Sequence, residues 1–205
     1  MDKKTIKSIV SNTIIIEKSK FITYLVPLND VKEIEKLILE YKEKYLDATH
    51  VCYGYIFETN EVELSKCYDD GEPSSTAGNP ILSMLKVKQL TNVICFVIRY
   101  FGGIKLGAGG LIRAYGNSAL AAINQAKIVK LLKGYQYIIS FSYNNIKLMN
   151  KYLEDIKARI EAKEYKLQVE YKIILLEKDD IVNLRKYFAN LIEVQELGEV
   201  SITSE

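Results

Sequence analysis

The stretch TNVICFVIRYFGG, residues 91 to 103, most narrows what this chain can fold into. Its centre, VICFVI at 93 to 98, falls far short of the roughly 20 apolar residues that a membrane span needs, so it reads as a mostly buried strand. Gly102 and Gly103 end it. KLGAGGLIRAYGNSALAAINQAK then opens a helix whose Leu111, Ala114, Tyr115, Ala119, Ala122 and Ile123 form an apolar stripe. Upstream, TIIIEKSKFITYLVPL (13 to 28) reads as a bent strand or hairpin pair ending at Pro27. Asp30 stands three residues before Glu33, a capping-box spacing. Val31, Ile34, Leu37, Ile38, Tyr41 and Tyr45 follow with the period of a helix of about 15 residues. THVCYGYIF (49 to 57) alternates as a strand, with Val51, Tyr53, Tyr55 and Phe57 on one face and His50, Cys52, Gly54 and Ile56 on the other. LSKCYDD continues as another strand. Asn79 before Pro80 reads as the capped start of a short helix, ILSMLKVK.

The rhythm changes near residue 130. GYQYIISFSY (134 to 143) is a strand, and Asn144 starts a helix with Ile146, Met149, Leu153 and Ile156 on one face. RIEAKEY and LQVEYKIILL alternate as two strands, Asp179 or Asp180 caps a helix carrying Ile181, Leu184 and Phe188, and LGEVSITSE closes as a strand. The order βαββαβ is the ferredoxin-like arrangement. The expectation is an α+β chain with a first domain over 1–130 and a ferredoxin-like domain over 131–205.

A length of 205 residues, 48% hydrophobic and 26% charged, fits a soluble globular protein rather than a disordered or fibrous one. The start, MDKKTIKSIV, has no apolar core or cleavage site of a signal peptide, so a cytoplasmic location without membrane attachment is expected. Cys52, Cys67 and Cys95 show no paired spacing, as suits thiols in a reducing compartment. With His50 the one histidine, a zinc site would need all three cysteines to converge on it. No metal or other cofactor is expected.

Charge is distributed unevenly. After Asp69, Asp70 and Glu72 the next acid is Glu154, and residues 73–153 carry ten Lys and Arg and no carboxylate. Average density would put about ten acids there. Residues 1–130 hold 17 basic and 14 acidic groups and 131–205 hold 11 and 12, so the first part is the more basic.

Within the basic segment, GGIKLGAGGLIR (102 to 113) joins the buried strand to a helix, where free amides and the helix dipole favour an anion. The candidate anion- or nucleic-acid-binding residues are Arg99, Gly102, Gly103, Lys105, Gly107, Gly109, Gly110 and Arg113. The same glycines also suit a sharp turn with close helix–sheet packing. A Walker loop is absent, and Ile112 stands where a dinucleotide fingerprint begun at Gly107 and Gly109 needs glycine. In DDGEPSSTAGNP, Asp69, Asp70 and Glu72 are candidates for ordering the loops by pairing with Arg99, Lys105 or Arg113. A magnesium site and a solvated polar turn are the alternatives, although adjacent acids on an extended chain diverge. His50 and Cys52, two apart on one strand face, are spaced for a nucleophile pair but lack a third group to orient the base. They read better as packing.

SKF at 19 to 21, THVCYGY at 49 to 55, DDGEPSSTAG at 69 to 78 and VIRYFGGIKLGAGGLIRAY at 97 to 115 together resemble the IMPACT family, including its bacterial YigZ-type members. The resemblance covers most of residues 15 to 125. It implies a first domain similar to domain IV of elongation factor G and a second similar to domain V. It further implies a link to translation, because eukaryotic relatives restrain a stress kinase and bacterial members are suspected of binding nucleic acid or ribosomes. No defined catalysis comes with it. Ser75 and Asn79 depart from the Gly and Lys of the bacterial EPSGTAGKP loop. The chain begins at the first domain without the partner-binding domain of eukaryotic members, which argues against kinase control. The expected function is therefore non-enzymatic binding of RNA or the ribosome through the acid-free face, with a protein partner as a further reading. The alternative is an enzyme or nucleotide-binding protein acting on a phosphorylated small molecule at the glycine-rich turn.

Overall fold

A computed structural model describes residues 3–58 and 62–204. Met1 and Asp2 of the amino-terminal reading and Glu205 of the closing strand lie outside the described residues. The chain divides into two compact units, one reaching to Leu131 and including the residues from Thr203 onward, the other Leu132–Ile202. The first contains β1 (Lys4–Ile6), β2 (Val10–Ile16), β3 (Ser19–Pro27), α1 (Lys32–Lys44), β4 (His50–Glu58), β5 (Glu63–Tyr68), α2 (Gly78–Val87), β6 (Val93–Tyr100) and α3 (Gly107–Gln125). Five of its strands form one antiparallel sheet in the order β2-β3-β6-β4-β5. β1 pairs instead with Ile128, Val129 and Lys130 at the start of β7 (Ile128–Phe141).

The apolar run takes the central place in that sheet, because a strand with apolar side chains at both parities must be covered on both faces. One face carries Phe21, Leu25, Cys52, Cys95 and Val97, packed with Ile81 and Leu85 of α2 and with Leu111, Tyr115 and Ala119 of α3. The other carries Val51, Tyr53, Ile94, Phe96 and Ile98, packed with Ile34 and Tyr41 of α1. The ring of Tyr41 stacks on Phe96 with centroids 4.2 Å apart. The segment 13 to 28 is a hairpin pair, β2 turning into β3 through Glu17 and Lys18, both at positive φ. That is the backbone of a primed turn, whose twist suits two-residue hairpins. The capping box at α1 forms as its spacing predicts: the Glu33 carboxylate accepts from the amides of Asn29 and Asp30, and Asp30 accepts from Lys32 N.

The start of α2 differs from the sequence reading. Asn79 lies inside the helix and accepts from the Cys67 thiol, while the amides of Ala77 and Gly78 donate to Asp69 at 3.0 and 2.8 Å. A carboxylate nine residues upstream has taken the capping role, since an ionised acceptor at a helix start gains from the dipole as well as the hydrogen bonds.

In the second unit, β7 is followed by α4 (Ile146–Asp155), β8 (Arg159–Tyr165), β9 (Val169–Leu175), α5 (Asp179–Phe188) and β10 (Ile192–Thr203). The βαββαβ order is present, and β10 and β9 flank β7 with β8 outside β9. Tyr137, Ile139 and Phe141 of β7 and Val169, Tyr171, Ile173 and Leu175 of β9 face both helices, meeting Met149, Leu153, Ile181, Leu184 and Phe188. β10 begins earlier than expected because Ile192 and Val194 also pack on this core. A 3-10 turn over Tyr143–Asn145 precedes α4, so Asn144 is not its cap. Asp179 and Asp180 occupy the first turn of α5 without side-chain capping bonds. Among the described residues, no helix is long and apolar enough to cross a membrane.

Candidate functional site

The register of β3, β6 and β4 places Phe21 and His50 on either side of Arg99, all on the face that α2 and α3 cover. Arg99 is 5% exposed, so it is an interior residue. Its Nη1 donates to Glu72 Oε1 at 2.6 Å, and its Nη2 lies 3.4 Å from Ser19 Oγ. The same Glu72 oxygen accepts from the hydroxyl of Tyr115, a fully buried residue of α3, at 2.7 Å. Arg99 Nε is buried with no hydrogen-bond partner. The guanidinium carbon lies 5.5 Å from the ring centroid of Phe21 and 5.4 Å from that of Phe101. Arg99, expected as an anion contact, is therefore not available at the surface, while Glu72 pairs with it as the loop-ordering reading expected. A desolvated pair of this kind holds its neighbours in place, because losing either member strands the other charge at a cost of about 3–5 kcal/mol.

The three acids act separately. Asp69 accepts from the amides of Ser75, Ala77 and Gly78 and so shapes the turn into α2. Asp70 accepts from Val51 N at 2.7 Å and meets Lys42 Nζ at 3.5 Å. Of the three, Glu72 pairs with a cation of the acid-free segment, Arg99; Asp69 bonds only backbone amides there, and Asp70 meets Lys42. Among the described residues, no group of three or more His, Cys, Asp and Glu is arranged to hold a metal ion.

His50 and Cys52 are not arranged as base and nucleophile. His50 Nδ1 lies 2.7 Å from the Asp70 carbonyl oxygen, which can only accept, so Nδ1 carries the proton. Its Nε2 faces Glu72 at 3.9 Å. The Cys52 thiol donates to the Asp69 carbonyl at 3.0 Å and lies 3.5 Å from the Tyr115 hydroxyl. Burial pushes this thiol well above its ordinary range, with the carboxylates of Glu72, Asp70 and Asp69 adding to the rise against the Tyr115 hydrogen bond. Burial likewise raises the Tyr115 hydroxyl, which stays protonated and donates to Glu72.

The glycine-rich segment divides in two. Residues 101 to 106 connect β6 to α3, but Gly107, Gly109 and Gly110 lie in the first turn of the helix. Gly102 is a packing residue: its amide donates to Ser19 Oγ at 3.1 Å, and a Cβ there would fall 2.0 Å from the Lys18 carbonyl carbon. Its amide is therefore committed and unavailable to an anion. Gly103 and Gly107, at positive φ, face open space. Lys105 and Arg113 are exposed, and Arg113 Nη1 lies 3.6 Å from where a Gly109 side chain would begin. Lys18 is exposed in the β2–β3 turn, whose backbone packs against Gly102, while Lys20, paired with Tyr100, has the parity of the α1 face and holds its Nζ 5.8 Å from the Tyr100 ring centroid. Lys18, Ser19 and Tyr115 were not among the candidate site residues of the sequence. Tyr115 was hidden in an apolar stripe, and the others depend on strand register.

Residues 17–123 match the Impact N-terminal domain model, which contains every residue of this arrangement. The chain is 37% identical over 175 residues to the IMPACT family member YvyE of Bacillus subtilis, covering 85% of this chain and 80% of that protein. It is 29% identical over 164 residues to the IMPACT family member YigZ of Escherichia coli, covering 78% and 79% respectively. A crystal structure of a hypothetical protein superimposes over 100% of both chains with a TM-score of 0.67 at 24% identity, a likeness of fold. With the family model spanning more than half of the chain and a relative matched over most of its length, the protein belongs to the IMPACT family.

Proposed function

We propose that this protein is a non-enzymatic, translation-associated factor of the cytoplasm that binds RNA, foremost that of the ribosome, through the basic end of its first unit. The observation that carries the reading is the exposed pair Lys105 and Arg113 at the bare glycine start of α3, with Lys18 exposed in the turn whose backbone packs on Gly102. Glu72, the last acid before the acid-free segment, is turned inward onto Arg99 and leaves that surface positive. Cations spaced along such a surface would exchange condensed counterions for phosphates, so binding would be governed by salt. On the same reading the two units are counterparts of domains IV and V of elongation factor G, and the protein would compete with that factor for ribosomes.

The test is RNA affinity measured between about 50 and about 200 mM salt. Affinity should fall steeply, and Lys105→Ala with Arg113→Ala should flatten the log–log slope by about 1.4 to 1.8, roughly 0.7 for each phosphate of a single strand or 0.9 for each of a duplex left without its cation. A flat salt response in the parent protein would overturn the proposal. Sedimentation with ribosomes, abolished by RNase, is the expected result in extract. Co-purification that survives nuclease would point instead to a protein partner.

A further inference from the structure

We infer that the loop between β6 and α3 recognises single-stranded rather than duplex RNA, with the ring of Phe101 as a platform for an unpaired base. This rests on the RNA reading above and specifies the form of RNA that the surface takes. Phe101 is 46% exposed, yet its position is fixed. Its amide donates to Thr49 Oγ1 at 2.9 Å, the next amide donates to Ser19 Oγ, and the buried Arg99 guanidinium lies against its ring. A half-exposed ring anchored on both backbone sides offers stacking area without the entropy cost of ordering a loop.

The surroundings complete a strand-binding pattern. Ile104 of the same connection and Ile112 of α3 are exposed apolar side chains, at 39% and 45%. Lys105 follows Ile104 in the same connection, Arg113 stands on α3 and Lys18 in the turn packed on Gly102, and Gly103 and Gly107 leave open space for close approach of a backbone. Two acids are nearby, Glu17 in the hairpin turn and Asp47, which accepts from the Tyr100 hydroxyl at 2.8 Å, so the cations remain in excess. Cations that track phosphates combined with an aromatic face are the elements of single-strand recognition. Duplex RNA offers the phosphates but keeps its base faces stacked, so it can use the cations and not the ring.

The experiment compares a fluorescent single-stranded RNA with its own duplex, using the full chain at constant salt. Phe101→Leu, which keeps an apolar side chain against Arg99, should weaken single-strand binding about 5- to 100-fold and leave duplex binding unchanged. An unaltered melting temperature shows that the variant is folded. The chain has no Trp, so Phe101→Trp creates a single reporter whose fluorescence should be quenched by the single strand and not by the duplex. Equal affinity for both forms, with Phe101→Leu silent and Lys105→Ala with Arg113→Ala impaired on both, overturns the stacking inference while sparing the RNA reading. Failure to bind either RNA, or binding of polyglutamate in its place, overturns both.

Discussion

Glu72 with Arg99 and Lys105 with Arg113 lie on the two sides of one strand-to-helix connection, and their charges are put to opposite uses. Arg99 is the last inward-facing residue of a central strand, so its guanidinium is desolvated and must find a carboxylate there; Glu72 supplies it at 2.6 Å. Lys105, in the connection after that strand, and Arg113, on the outer side of α3, are exposed, so water solvates them. The difference teaches that a run of basic residues in sequence is not a basic surface. Strand parity divides it into cations that hold the fold together and cations that can meet a ligand.

The largest effect should come from breaking the interior pair. Arg99→Ala should destabilise by about 3–5 kcal/mol in denaturant titrations, and joint replacement by Arg99→Met and Glu72→Leu should recover part of that loss, because no lone charge is left buried. Similar instability in the single and double variants would mean that the pair matters for shape rather than charge. Gly102→Ala should cost about 1–3 kcal/mol through overpacking against the Lys18 backbone. Asp69→Ala removes the acceptor for the Ala77 and Gly78 amides and should cost about 1–2 kcal/mol, the range of a lost helix cap. On the opposite face of the sheet, burial, with Tyr24 and Glu40 adding, raises the Tyr41 hydroxyl from 10.0 to about 12. The neutral phenol is the form that the fold favours, so its contribution is intact below pH 10 and is lost as pH rises toward 12. Tyr41→Phe should reduce the alkaline loss of stability in that window, read as melting temperature against pH. Smallest of all, Lys105→Ala and Arg113→Ala should leave stability within about 0.5 kcal/mol of the parent. A larger change would place these two among the structural cations and erase the contrast.

Much of the architecture was legible because period is a local property. The parity of VCYGYIF, the stripe Leu111, Ala114, Tyr115, Ala119, Ala122 and Ile123, and the alternation of Val169, Tyr171, Ile173 and Leu175 each fix a face. Boundaries were less legible. The early start of β7, pairing with β1, depends on a partner more than a hundred residues away. Asn79 beside Pro80 satisfies every local rule for a helix start, yet Asp69 caps the amides, since a folded-back loop brings a stronger acceptor. For the candidate site, the residue types were visible and their roles were not. Arg99 and Glu72 were singled out, but whether they face solvent or each other is a question of register.

By itself, then, the sequence determined the family, the α+β composition, the faces of the main strands and helices, and the abrupt change in charge after Glu72. These follow from residue order over a few turns or strand lengths. Only the tertiary structure decided that Arg99 and Glu72 form an interior pair with Tyr115, that Gly102 packs against the Lys18 backbone, and that the turn carrying Lys18 thereby meets the connection carrying Lys105. Those outcomes depend on which strands become neighbours and on which side of the sheet each helix settles, because burial sets the energy of a charge and local apolar period does not say whether a charged residue at a strand end is buried.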